Sequence, residues 1–471
     1  MKDKEYKNNI SDLSHQKGET EGVKTLLGEP KKAIIKLAIP IIVAMSAQTL
    51  YNLVDAIWVS GLGADALAAI GFVFPFFFIA IALSTGLGVG VGSAISRKIG
   101  ARDKEGADNV AVHSIILMLL FTIVFTIPLF VFAEDIFVLI GAGKTADMAT
   151  AYGSIIFAGS IFIFFSRLAN SILRSEGDVK RAMYAIMLGA GLNIVLDPIF
   201  IYTLDMGVAG AAWATIMSLG VTTIIMMDWL FFKKDTYVSF KFSNFKFNKN
   251  IIKDIFGVGL PASVSHLSMA LTMVIINVIV VMVGVGNTDG VAVYTTGWRV
   301  AMIAILPLLG IATAVVSVSG AAFGAQSFEK LKISYLYAVK IGFMMEVVIA
   351  AATFIFAPQI AAVFTQSEGA AHIASDLTFF LRIICIFYPA LSFGMLSSSV
   401  FQGTGKGINA LLVTILRTLI LTPLFAVVLA LSFNMGLTGV WLGIVTANIV
   451  SSIVAFSWAR LYIIKLPNLK M

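Results

Sequence analysis

The stretch IIKLAIPIIVAMSAQTLYNLVDAIWVS, residues 34–60, decides the fold. Its only charges are Lys36 near the start and Asp55 near the end, and about 20 such residues suffice to cross a bilayer. Comparable runs follow at roughly 69–96, 110–133, 149–173, 181–203, 208–232, 255–285, 291–320, 334–357, 376–401, 408–432 and 437–464. The expectation is an all-α integral membrane protein with twelve transmembrane helices. A soluble chain of 471 residues with 59% hydrophobic and only 13% charged content is excluded, because soluble domains carry about a quarter charged residues.

Lysine and arginine sort between alternate loops. Loops 97–109, 174–181, 233–253, 325–333 and 402–407 hold sixteen of them, whereas the intervening loops hold only Lys144. Basic loops stay in the cytoplasm, so both termini are expected there, in a cell membrane. The net charge of +7 is thus a topology signal and not a nucleic-acid surface. Residues 1–33 lack the short apolar core and cleavage site of a signal peptide. The lone Cys385 allows no intramolecular disulfide.

The longest basic loop divides the chain into similar halves. Gly100-Ala101 recurs as Gly324-Ala325 and Glu105 as Glu329; later, Met206-Gly-Val-Ala-Gly210 recurs as Met435-Gly-Leu-Thr-Gly439. Six spans per half keep equivalent helices in the same orientation, which implies two six-helix bundles related by a pseudo-two-fold axis along the membrane normal. The expected divisions are a tail (1–33), a first lobe (34–232), a linker (233–253), a second lobe (254–464) and a short tail (465–471). Rocking of two such bundles is one basis of alternating access.

Within this apolar frame Asp55 and Asp197 stand out, each without a basic residue nearby in sequence. An ionisable group at membrane depth costs several kcal/mol and marks function. At about 1.5 Å per residue, Asp55, Asp197 and Thr215 fall about 9, 10 and 12 Å below the outer surface. Asn193 lies one turn deeper than Asp197 on the same face. Pro198 has no N–H and frees the carbonyl of Ile194. Together they form a hard-oxygen set suited to Na⁺ or to a shared proton. The same side chains would also serve as hydrogen bonds between helices. Gln48, Tyr51, Asn52 and Asp55 make a polar stripe on the first span.

The second half has Ile279 and Thr422 at the positions of Asp55 and Asp197. Its deep acid, Glu346, is expected to pair with Arg299 at a similar depth, as a structural ion pair or a secondary ion site. Arg382, Arg417 and His266 are further intramembrane ionisable groups. Glycines 86, 88, 90 and 92 lack the Lys-Ser/Thr of a phosphate loop and have the spacing of close helix packing. Methionines 45, 269, 273 and 302 are candidates for an adaptable apolar pocket. No triad, HExxH or two-metal pattern occurs, so an enzyme is not expected and no cofactor is implied.

Several motifs together resemble the multidrug and toxic compound extrusion family. They are Thr49-Leu-Tyr-Asn-Leu-Val-Asp55, Arg174-Ser-Glu-Gly-Asp-Val-Lys180, Asn193-Ile-Val-Leu-Asp-Pro198 and Val400-Phe-Gln-Gly-Thr-Gly-Lys406. The likeness runs from about Gly28 to Ile463 and is nearest the prokaryotic branch with archaeal members. It implies an exporter of small amphipathic, often cationic organic compounds in exchange for Na⁺ or H⁺, working as a monomer in the lipid bilayer. The coupling site it implies falls on Asp55, Asn193, Asp197 and Thr215. Its substrate cavity, between or within lobes, would include Gln48, Tyr51 and Asn170, with Asn52 beside them on the polar stripe. Where some relatives carry an acid in the seventh helix, this chain reads Pro261-Ala-Ser-Val-Ser-His266. A lipid or lipid-linked-sugar flippase shares the architecture, and an ion channel or sensor is the reading from another class.

Overall fold

The computed structural model describes residues 20–467 apart from 234, 241, 243, 244, 285–287, 367, 368 and 370. The tail up to residue 19, Lys234, Lys241 and the last four residues lie outside it. Every element among the described residues is helical. Eleven helices are long and apolar enough to span a membrane: Pro30–Ser60, Ala64–Gly100, Lys104–Val131, Val179–Thr203, Gly207–Phe232, Lys249–Val283, Leu306–Gly324, Phe328–Ile355, Ala371–Gly403, Gly407–Ser432 and Gly436–Lys465. Gly143–Ala158 and Ser160–Ser175, bent by 44° at Gly159, form a twelfth, which is fourth in chain order.

The structure departs from the sequence reading at the ends of spans. Asp289–Ala304 precedes Leu306–Gly324 across a break at Ile305, where Pro307 sits at the start of the second helix. Two regions expected to be loops contain short helices, Ala133–Leu139 and Ala357–Phe364. Each is too short to span, and they occupy equivalent places in the two halves.

The duplication is visible in the backbone. Arg102 and Gln326 have φ of 58° and 56°, and Asp205 and Asn434 both have 53°. These left-handed residues close equivalent hairpins, a conformation that costs a side chain energy unless the fold requires it. Asp103 then caps the third span, accepting from the Gly106 N–H at 2.8 Å.

The symmetry axis can be located from two glycines. A Cβ on Gly100 would lie 2.0 Å from the carbonyl oxygen of Ala321, and one on Gly324 would lie 1.9 Å from that of Arg97. Arg97 and Ala321 are themselves equivalent, so the second and eighth spans meet as two subunits meet across a two-fold. Gly86 and Gly90 press equally hard on Gly259 and Ile255 of the seventh span. These contacts gather at the end of the molecule that carries the basic loops, called the basic end below. There the Arg97 guanidinium donates to Asp254 at 2.6 Å and to the Gly403 carbonyl at 3.3 Å. Ser93 Oγ donates to the Gln402 carbonyl at 2.5 Å.

Candidate functional site

Asn193, Asp197 and Thr215 are buried at 2%, 0% and 8% exposure, which is costly for polar groups unless they are paired. One orientation of the Asn193 amide reaches Thr215 Oγ1 at 3.4 Å. The other donates to Asp197 Oδ2 at 2.8 Å and accepts from the Thr215 N–H at 3.2 Å. The second is favoured physically, because it gives the buried carboxyl a donor and leaves no amide atom facing its own kind. Asp55 brings its carboxyl within hydrogen-bonding reach of Asp197. Three helices therefore converge at one layer, as depth alone indicated. Directly after Pro198 the fifth span widens into a π-turn over Ile199–Thr203. There Tyr202 donates to the Trp58 carbonyl at 2.5 Å and fastens the fifth span to the first.

Two carboxyls at hydrogen-bond range cannot both carry charge in a low-dielectric interior without a proton or cation between them. No ion pair among the described residues reaches either acid. Tyr51, assigned above to the cavity, reaches Thr215 and faces both acids. Tyr152 from the bent fourth span faces them too. Tyr152 was missed because a single tyrosine in an apolar span carries no positional signal. Only the bend at Gly159 and the packing of the fourth span reveal it.

The other cavity candidates divide. Gln48 donates to Asn52 at 3.4 Å along the stripe of the first span, with Asn52 exposed. Asn170 is buried at 7%, donating to the Ser166 carbonyl at 3.0 Å and facing Met226, so it lies inside the first bundle rather than on an open wall. Arg167 is the second omission. It is exposed at mid-helix of the fourth span, feels Tyr51 of the first, His266 of the seventh and Arg174 of its own helix, and makes no salt bridge among the described residues. Its reach to Tyr51 and His266 places it beside spans of both bundles. Arg167 has no sequence neighbour that distinguishes it, though a charge in an apolar helix was signal enough to have noted.

The Glu346–Arg299 ion pair does not form. Glu346 is fully buried with neither carboxyl oxygen bonded, whereas Arg299 is exposed. Matching depth did not ensure neighbouring helices. Asp289–Ala304, which carries Arg299, packs chiefly against Ala374–Ile384 of the tenth span rather than against the ninth.

With the geometry in hand, similarity to known proteins can be judged. The MatE family profile matches residues 40–199 and again 261–428, together more than half the chain. The chain belongs to the MatE family. The double match falls once in each bundle, as the duplication requires. Among curated relatives, the multidrug export protein MepA of Staphylococcus aureus (strain NCTC 8325 / PS 47) is 27% identical over 414 residues, 87% of this chain and 89% of its own. A crystal structure of MATE in complex with MaL6 superposes with a TM-score of 0.93 at 50% identity, over 95% of this chain and all of that one (100%). A multidrug resistance MATE family transporter in an outward-facing conformation gives 0.92 at 50%, over 95% and 99%. A MOP superfamily transporter from Pyrococcus furiosus Vc1 (DSM3638), described as having a binding pocket of reverse polarity that suggests a different function, gives 0.91 at 50%, over 95% and 99%. This MATE chain is therefore a membrane transporter and not an enzyme.

Proposed function

We propose that this MATE transporter exchanges Na⁺ or H⁺ for amphipathic, often cationic organic compounds, with coupling at Asp55, Asn193, Asp197 and Thr215. The carrying observation is the Asp55–Asp197 carboxyl pair, which has no basic partner among the described residues and is held by a buried asparagine. Such a pair changes its hydrogen bonding when a proton or Na⁺ arrives, and a ligand shifts a conformational equilibrium only by binding one state better. Tyr51 links the pair to the polar stripe with Gln48 and Asn52, where cargo would bind. The basic end is taken as cytoplasmic, the lobes 34–232 and 254–464 as the rocking bodies, and the monomer in the cell membrane as the working unit.

The test is uptake of a fluorescent cationic drug in proteoliposomes, with Na⁺ and H⁺ gradients imposed separately. Asp55→Asn and Asp197→Asn should each abolish gradient-driven flux in folded protein. Normal transport by both variants would remove the assignment.

Arg167 and Arg174 support a second reading, a flippase of anionic lipid or lipid-linked sugar. They repel a cation and would seat an anionic headgroup. The Pyrococcus furiosus relative with its reversed pocket polarity points the same way. Scrambling of labelled anionic lipid without drug movement would favour this reading.

A further inference from the structure

Glu346 sits in the ninth span, Phe328–Ile355, at 0% exposure, and both its carboxyl oxygens lack a hydrogen-bond partner among the described residues. Tyr388 of the tenth span is also fully buried, its hydroxyl is also unpartnered, and it feels the Glu346 carboxyl. Two unsatisfied polar side chains facing each other inside one bundle are rare, since buried polar groups are nearly always bonded.

The charged and titratable neighbours are quickly named. Cys385, beside Tyr388, donates its thiol to the Arg382 carbonyl at 3.2 Å. The Arg382 guanidinium lies 5.5 Å from the centre of the Phe354 ring, two turns along the ninth span toward the opposite end. Leu306–Gly324 of the eighth span and Ala357–Phe364 contribute no ionisable group. On the ninth span itself, Lys340 is exposed and on another face. The basic groups of the first and twelfth spans lie at the basic end, with Lys31 5.9 Å from the Tyr337 ring and Arg460 feeling Tyr335, while Asp55 and Tyr51 of the first span face Asp197 and Thr215 in the other bundle. No cation among the described residues therefore balances a carboxylate at Glu346, and an unpaired buried charge costs several kcal/mol. The geometry is that of a neutral acid with the Tyr388 hydroxyl as its nearest polar side chain.

We propose that Glu346, with Tyr388 beside it, is a second proton-binding site, lodged in the second bundle and loaded in this conformation. One turn below it, Gly342 packs against Leu308, Leu396 and Ser392, and that contact closes the path toward the basic end. The proton leaves when repacking of the ninth and tenth spans admits water or brings Arg382 inward. The site needs no particular cargo, and its test reads the carboxyl directly, so it stands or falls apart from the export reading.

The test is infrared difference spectroscopy of the full chain in lipid, stepped from acid to alkaline pH. The background is Asp55→Asn/Asp197→Asn/Glu176→Gln, which silences the first-bundle pair and the buried glutamate that follows the fourth span. A protonated-carboxyl C=O band should persist in that background, respond to the pH step and vanish on adding Glu346→Gln. Tyr388→Phe should shift the frequency of the band without removing it. A pH indicator should count one proton fewer released per protein after Glu346→Gln. A band untouched by Glu346→Gln overturns the proposal. So does a band that never responds to pH, which would make Glu346 an inert packing acid.

Discussion

At the scale of single residues, burial that outweighs its partners recurs, and Glu176 shows it outside the membrane, where nearby Arg181 does not offset the burial. It follows the fourth span, is 1% exposed, and accepts from the Val238 N–H at 3.0 Å. Burial pushes its carboxyl up to about 8, with nearby Asp178 adding to the effect and the Val238 bond opposing it. An undocked glutamate would titrate at 4.5. The docked state therefore binds more protons between those values. Its stability is full below 4.5 and falls as pH rises through about 8. Hydrogen exchange at Val238, corrected for intrinsic rate, should show greater protection at acid than at alkaline pH. Glu176→Gln should flatten that dependence, and a flat wild-type profile would refute it. The carboxyl cluster was legible because charge in hydrocarbon is conspicuous and depth follows from counting. Tyr152 was not, nor was the failure of the Glu346–Arg299 pair. Which helices are neighbours, and where they bend, depends on packing that one sequence does not encode locally.

At the scale of elements, the glycines of the second and eighth spans decide how closely the bundles meet. Gly100 and Gly324 have backbone carbonyls about 2 Å from where a Cβ would stand, and backbone does not yield as a flexible side chain does. Gly100→Val and Gly324→Val should each wedge the basic end open. By symmetry the two effects should be alike, with spin-label distances across that end lengthening and those across the opposite end shortening. Gly191→Ala, where nothing lies within 4 Å, is the control and should leave the distances unchanged. Unequal or absent shifts would show that the glycines do not set the seam. The twelve spans were readable because uninterrupted apolar length is the strongest signal a sequence carries. Ala133–Leu139 and Ala357–Phe364 were hidden because seven or eight residues are too few for a periodicity to show.

At the scale of the whole molecule, a symmetric frame carries asymmetric chemistry. The first bundle holds a carboxyl pair where the second has Ile279 and Thr422, while the second holds Glu346 away from any equivalent of that pair. If the two bundles rock as proposed, whatever holds the basic end shut must break, and among the described residues the ion pair of the seam is Arg97 with Asp254. The Arg97 side chain is 12% exposed and Asp254 44%, so solvent weakens the ion pair, but Arg97 also bonds the Gly403 carbonyl and Ser93. Hydrogen bonds to a charged group contribute about 1.5–3 kcal/mol. Losing Arg97 should then shift the balance toward the basic-end-open state by roughly ten- to a hundredfold. Asp254→Asn should shift it less, because Arg97 keeps its carbonyl partner. The charge-swapped double variant, Arg97→Asp with Asp254→Arg, should recover only part of the closure, since an aspartate cannot donate to Gly403. Spin-label or fluorescence distances across the basic end, taken at low and high salt, distinguish these outcomes. A double variant that restores closure completely would assign the latch to the ion pair alone. Variants with unchanged distances would place the closing energy in the glycine seam.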